Sequence, residues 1–327
     1  MQEEMLRWLD ARVKAGEPVA RINAKLKAAG LLTPDEDGYT SHSGYVEEIA
    51  ERQVPRVHDL RILVIPIYKG SGCYLDDTVV LYGKATGARV GWINAESMGS
   101  EFARSLNGLD IGNRNANGSR LIASGWNTSN CSSNWNGKVI QIDRLKLAGV
   151  ENLLSKGVDA KDADSRYESV SASIQLNTAT FHYNGATGEG AMLSALSIAR
   201  YRVEGDRVVR EAPLAINRVG FLHEWLMLDE ADAVRWSASE AAGVHAVVAK
   251  AFAHNVFGWQ RIAKCPGDPP VWEISVTLDD PRLYVFRMNG ERATELRMLG
   301  VTSKETSGCQ VIDWQKSLES VARELPW

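Results

Sequence analysis

The hydrophobic period of this chain changes along its length, which argues against a pure helical bundle, a pure sandwich or a repeat array. In the first fifty residues apolar side chains recur every three or four positions: Met5, Leu6, Leu9 and Val13 before Gly16, then Val19, Ile22, Leu26 and Ala29 before Gly30. That spacing places one apolar stripe on one helix face. Pro18 suits the first turn of the second helix and Gly30 its end. The pattern predicts an N-terminal helical hairpin. A short helix through Tyr45, Val46 and Ile49 is expected after the turn at Pro34-Asp35-Glu36-Asp37-Gly38.

From about Leu60 the period becomes that of strands: Arg61 to Ile65, Thr78 to Tyr82, Ala88 to Ile93, Arg120 to Ala123, Lys138 to Ile142, Ser169 to Leu176, and a hairpin from Arg200 to Val209 turning at Gly205-Asp206. At Phe221 it returns to helix. Phe221 with Trp225 and Leu222 with Leu226 lie four apart on one face, and Ser237 with Glu240 has the spacing of a capping box before Val244, Val247, Val248, Ala251 and Phe252. Strands resume at Val271 to Val276, Leu283 to Phe286 and Glu295 to Leu299, with Asn289-Gly290 as a hairpin turn, and Trp314 to Leu325 reads as a closing helix. The expected fold class is therefore α+β, mainly antiparallel β-sheet with an N-terminal helical hairpin and a helical segment at about 221–256.

At 327 residues the chain has room for roughly two domains of about 150 residues each. The period changes suggest an N-terminal helical segment over 1–54, a β-rich domain over 55–215 and an α+β domain over 216–327. Acidic residues exceed basic ones by 41 to 37, so no electrostatic footprint for nucleic acid or an anionic membrane is present. The longest strongly apolar run, Ile62 to Ile65, stops at Pro66, far short of the ~20 residues of a membrane span.

Four cysteines, Cys73, Cys131, Cys265 and Cys309, lie at loops or strand ends with no CxxC spacing among them. Pairing Cys73 with Cys131 and Cys265 with Cys309 keeps each bridge within one half of the chain; four reduced thiols are the alternative. Bridges persist in oxidising compartments. The chain has the general look of exported bacterial proteins, so a periplasmic or extracellular protein whose leader is absent from this sequence is expected, with a cytoplasmic protein as the alternative.

The stretch Ser124 to Gly137 interleaves two tryptophans with amides and hydroxyls. Aromatic faces stack on sugar rings while amides bond their hydroxyls, so Trp126, Asn127, Trp135 and Asn136 are the candidate ligand-binding residues. The same residues also suit a turn-rich loop around a disulfide. Asn113 to Gly118 matches the first half of a calcium-loop spacing, but position twelve is Ser124 and the other ligands are neutral amides, so a surface loop is expected. His223-Glu224 begins like a zinc motif, yet the position four beyond His223 is Met227. Asp76-Asp77 reads as a solvated lead-in to a strand. No metal, cofactor or catalytic residue is assigned. The expected function is non-enzymatic binding of a glycan, small molecule or envelope partner. The alternative is a hydrolase whose dispersed site draws on His42, His182 or His223 with nearby acids.

Overall fold

The computed structural model describes residues 2–32, 46–68, 75–95, 103–129, 136–159, 167–186, 194–215, 217–252, 257–278 and 282–312. The chain opens with helices α1 (Gln2–Lys14) and α2 (Val19–Ala28). Strands β1 (Ala50–Arg52), β2 (Leu60–Tyr68), β3 (Leu75–Gly83), β4 (Arg89–Ile93), β5 (Ala103–Ile111), β6 (Arg120–Ser129), β7 (Asn136–Lys146) and β8 (Gly149–Asp159) come after them. Next are β9 (Tyr167–Gln175), β10 (Thr178–Ala186), β11 (Ser194–Glu204) and β12 (Arg207–Glu211), then helices α3 (Arg218–Met227), α4 (Glu230–Arg235) and α5 (Ser239–Phe252). Strands β13 (Phe257–Cys265), β14 (Val271–Leu278), β15 (Leu283–Asn289), β16 (Arg297–Thr302) and β17 (Gln310–Val311) complete the described elements. The fold is α+β and mainly antiparallel sheet.

Three sheets are ordered β1-β2-β3-β5-β6-β7-β8 with β4 also on β3, β12-β11-β10-β9, and β16-β15-β14-β13-β17. The chain divides into two compact units: unit 1 holds Met1–Asp159, Val170–Ala179 and Val203–Val208, and unit 2 holds Ala160–Ser169, Thr180–Arg202 and Val209–Trp327.

In unit 1 the run Ile62 to Ile65 is apolar at every position because both faces of β2 are covered. Leu63 and Ile65 pack with Val80 and Tyr82 under the helices, against Leu6, Leu9, Ile22 and Leu26. Ile62 and Val64 face the other way, into a core with Val79, Leu81, Leu106, Trp126 and Val139. The apolar stripe of α2 is thus buried against the sheet. The Tyr82 hydroxyl donates to Asp10 at 2.9 Å and ties β3 to α1. The sheet curls until β4 meets β8: a Cβ on Gly91 would stand 2.5 Å from Val150 Cγ2.

No helix forms over Val46 to Ile49. Instead Val46 pairs with Leu32 and Ile67, and Asn23 of α2 holds both backbone groups of Ile49 at 3.0 Å. A side chain that satisfies the backbone from outside removes the need for helical bonds there. Tyr45 lies outside the described residues, as does the expected helix from Trp314 to Leu325.

Unit 2 packs α3 and α5 on its five-stranded sheet. Phe221, Trp225, Val248 and Phe252 meet Ile274, Val276, Phe286 and Met288, with the Phe252 and Phe286 rings edge to face at 5.4 Å. Ser237 does not cap α5, which begins at Ser239. Its hydroxyl accepts from Trp225 Nε1 at 2.8 Å and donates to the Ala233 carbonyl at 2.7 Å, so it locks the preceding turn instead. The link after Asn289 is longer than a two-residue hairpin turn and passes through a 3-10 turn at Ala293–Glu295.

Candidate functional site

The site is built on two glycines. Gly108 of β5 and Gly125 of β6 pair across the ladder. A Cβ on Gly125 would lie 2.1 Å from Val170 Cγ1, and one on Gly108 would lie 3.1 Å from the Ala172 amide. The missing side chains therefore let the Val170–Ala172 backbone lie directly on the sheet. Asp110 fastens the end of β9 to the end of β5. Its Oδ2 accepts from the Ile174 amide at 2.6 Å and its Oδ1 from the Ile111 amide at 2.9 Å.

Beyond this clamp the turn Gln175-Leu176-Asn177 rises opposite the loop after β5, and with Pro55 and Arg56 they enclose a cleft of about 770 Å³. Leu109, Ile111, Leu121 and Ile174 supply its apolar lining. The polar lining is Arg56, Asp110, Arg114 and four side-chain amides, Asn113, Asn115, Gln175 and Asn177; these amides bond to no protein group among the described residues. A cavity of about 210 Å³ adjoins it and shares Asn115, Leu121 and Asn177. The cleft volume lies within the roughly 300–1,000 Å³ usual for small-ligand sites.

Two lining residues hold conformations that ordinary side chains avoid: Arg56 at φ 68° and Leu176 at φ 48°. Each costs on the order of 1 kcal/mol or more, and such residues concentrate where ligands are clamped. Leu176 is also 96% exposed, a large apolar side chain standing at the mouth of the cleft.

Arg114 is fixed by Asp59, which receives its Nε at 3.1 Å and also receives Arg120 Nη2 at 2.8 Å. Burial pushes the Asp59 carboxyl up, but the hydrogen bonds from Arg114 and Arg120 outweigh it and hold the group below its ordinary range. The loop that resembles half a calcium site is the near wall of this cleft. Asn117 Oδ1 accepts from the Ser119 amide at 3.0 Å and from its hydroxyl at 2.7 Å, and Gly118 takes φ 79°, so the spacing serves a turn.

Of the residues read from sequence as ligand-binding, Trp126 is 0% exposed in the unit 1 core, with its indole N–H donating to Ser124 Oγ at 2.9 Å. Asn127 joins its amide to that of Asn107. Asn136 opens β7 opposite Ser129. Trp135 lies outside the described residues, as do Cys73 and Cys131. Cys265 and Cys309 form a disulfide.

At the opposite end of β5 a row of buried charge runs across the sheet. Asp76 pairs with Arg104 at the parallel junction of β3 and β5, Arg104 pairs with Thr128, and Lys138 stands on β7 opposite Asn127. All are buried, so Asp76 and Asp77 are not the solvated lead-in that their adjacency suggests. Arg104 Nη1 lies 3.6 Å from Asp76 Oδ2. Burial raises the Asp77 carboxyl, although the Leu106 amide donates to it at 2.6 Å. Burial also lowers the Lys138 amine to about 8. A carboxyl raised and an amine lowered by their surroundings are the kinds of group that move protons in active sites.

His42 and His254 lie outside the described residues, and His58 is exposed. In unit 2, His223 sits half-buried on α3 beside Glu224, which is buried 3.8 Å from Arg210. Arg210 spends its guanidinium on the carbonyls of Ile198 at 2.8 Å and Leu214 at 3.0 Å. The Glu of the zinc-like dipeptide is therefore engaged in the core. His245 is buried, with Nε2 2.8 Å from the Trp225 carbonyl.

No protein-family model matches the chain, and no curated protein matches it. Among solved structures, the GH32 beta-fructofuranosidase BmSUC1 of Bombyx mori aligns over 90% of this chain and 56% of its own, at 9% identity and a TM-score of 0.31. At that level the likeness says nothing about fold or activity. No helix among the described residues is long and apolar enough to cross a membrane.

Proposed function

We propose that this is a non-enzymatic binding protein of an oxidising, extracytoplasmic compartment, and that its unit 1 cleft takes a small polyhydroxylated ligand such as a mono- or oligosaccharide. The observation that carries this reading is the set of four amides, Asn113, Asn115, Gln175 and Asn177, around one cleft with no protein partner among the described residues. A side-chain amide offers two donors and an acceptor oxygen, which matches hydroxyl groups better than it matches a fixed charge. The apolar lining of Leu109, Ile111, Leu121 and Ile174 suits the C–H faces of a sugar ring. The Asp110 carboxylate in the lining already accepts two backbone amides, so it orients the wall. The Cys265–Cys309 bridge supports the compartment.

Isothermal titration against a panel of mono- to tetrasaccharides tests this. At least one sugar should bind, and the double variant Asn115→Ala/Asn177→Ala should weaken it at least about tenfold, equivalent to ~1.4 kcal/mol. Binding that ignores both substitutions would place the ligand elsewhere.

A second reading, a hydrolase, is favoured by one observation: the raised carboxyl of Asp77 beside the Asp76–Arg104 pair suits a general acid. Release of product from the same panel, abolished by Asp77→Asn, would favour it over simple binding.

A further inference from the structure

In unit 2 the short ladder between β13 and β17 pairs Ala263 with Val311 and Lys264 with Gln310. The next antiparallel step brings Cys265 opposite Cys309, and their sulfurs are joined. Glu273 of β14 pairs with Ala263, two residues from Cys265 on the same face of β13, and is wholly buried. The two sulfurs and a carboxylate oxygen of Glu273 lie within 4.8 Å of one another. That carboxylate is held from behind. The Thr306 amide donates to Oε2 at 3.0 Å, the Thr306 hydroxyl donates to Oε1 at 2.5 Å, and Arg287 Nε lies 3.5 Å from Oε1. A carboxylate has about four lone-pair positions, so these contacts orient it and leave one to give.

We propose that Cys265, Cys309 and Glu273 form a metal site that oxidation closes: reduced, they bind one divalent cation of the zinc class, and oxidised, the sulfur–sulfur bond takes the place of the ion. In the reducing step a dithiol supplies two electrons and two protons, the S–S bond breaks to two thiols, and the dithiol becomes its own disulfide. The cation then displaces both thiol protons. The resulting two thiolates and one carboxylate carry three negative charges against the ion's two, with Arg287 beside the carboxylate to balance the remainder. Zinc–sulfur and zinc–oxygen bonds of about 2.3 and 2.1 Å set ligand atoms roughly 3.5–4 Å apart at tetrahedral angles, so the two sulfurs part once their bond is broken. The mixed thiolate–carboxylate set favours zinc over magnesium or calcium. Cys309 is half-buried while Cys265 and Glu273 are buried, so Cys309 is the more accessible of the two cysteines.

Cobalt(II) is the probe, added without oxygen to the full chain after reduction and removal of the reductant. The reduced protein should bind one cobalt per chain with thiolate-to-metal charge-transfer absorption, stoichiometric zinc should abolish that band, and the oxidised protein should show none. The Cys73→Ser/Cys131→Ser variant should retain the band and Cys309→Ser should lose it. Glu273→Gln should weaken cobalt binding at least tenfold. The reduced and oxidised wild-type proteins are compared first by circular dichroism, so the outcome does not hang on a variant's folding. Loss of native dichroism on reduction, absence of the band from a folded protein with its thiols counted free, or a band that disappears with Cys73 and Cys131 overturns the proposal.

Discussion

Lys138 sits on β7 with no exposed surface, and burial lowers its amine to about 8. A folded-state value below the unfolded one means that the folded protein disfavours the proton. The charge therefore costs stability at neutral pH, and the cost fades as pH rises through 8 toward 10.5, the ordinary value. The difference amounts to about 3 kcal/mol at most, at 1.36 kcal/mol per unit. Chemical denaturation at pH 7 and pH 10 should therefore show the stability gap between Lys138→Met and the wild type shifting toward the wild type at the higher pH. A gap that does not move would mean the ammonium is adequately solvated. Asp77 runs the other way with pH, because its folded value is raised: its favourable contribution is present below the unfolded pKa and lost as pH rises through the folded one. Asp77→Asn should thus gain stability relative to the wild type between pH 4 and pH 7. Equal differences at both would argue against the raised carboxyl. Neither group is legible in the sequence as buried, since Lys138 follows Asn136-Gly137 and Asp76-Asp77 follows a Gly/Ser/Cys-rich stretch, which are contexts that ordinarily mark surface.

Elements whose apolar residues repeat with one period are legible; elements set by backbone approach are not. The helices α1 and α2 and strands β2, β3 and β14 carry their pattern openly, because one or both faces are filled by large side chains. By contrast β5 (Ala103–Ile111) and β8 (Gly149–Asp159) contain Asn, Ser, Gly and charged residues, and read as loop until the ladder partners are known. The Gly108–Gly125 pair has the same character: its use is to admit Val170–Ala172, a segment distant in sequence. Gly125→Ala should push Val170 away from the sheet and cost about 1–3 kcal/mol, as overpacking does. It should also weaken ligand binding in the cleft, whose wall hangs from β9. Thermal melts with paired titrations check this, and a variant with wild-type stability and affinity would show that β9 is not held by this approach. The expected helix over Tyr45 to Ile49 and the expected cap at Ser237 fail for one reason. In each case a distant side chain, Asn23 or Trp225, engages the local group first.

At the scale of the whole molecule, the changes of period read out the α+β class, because core packing in both units is dominated by Leu, Ile, Val, Phe and Trp at regular spacing. The cleft is another matter. It joins Pro55 and Arg56, the loop after β5 and the turn after β9, three polar segments more than fifty residues apart, none with a motif of its own. The nearest signal is the Asn113 to Gly118 run, whose spacing points to a cation while its neutral amides point to hydroxyls. The candidate tryptophan stretch signals something real but different, since Trp126 anchors the core beside that same sheet. The proposed ligand site of unit 1 lies between these segments. It is tested most directly by mapping backbone amide resonances of the isotope-labelled full chain during titration with the tightest-binding sugar of the panel. Shifts should concentrate at Arg56, Asn113 to Asn115 and Gln175 to Asn177. Shifts clustered instead around Asp76, Arg104 and Lys138, or none at saturating sugar, would contradict it.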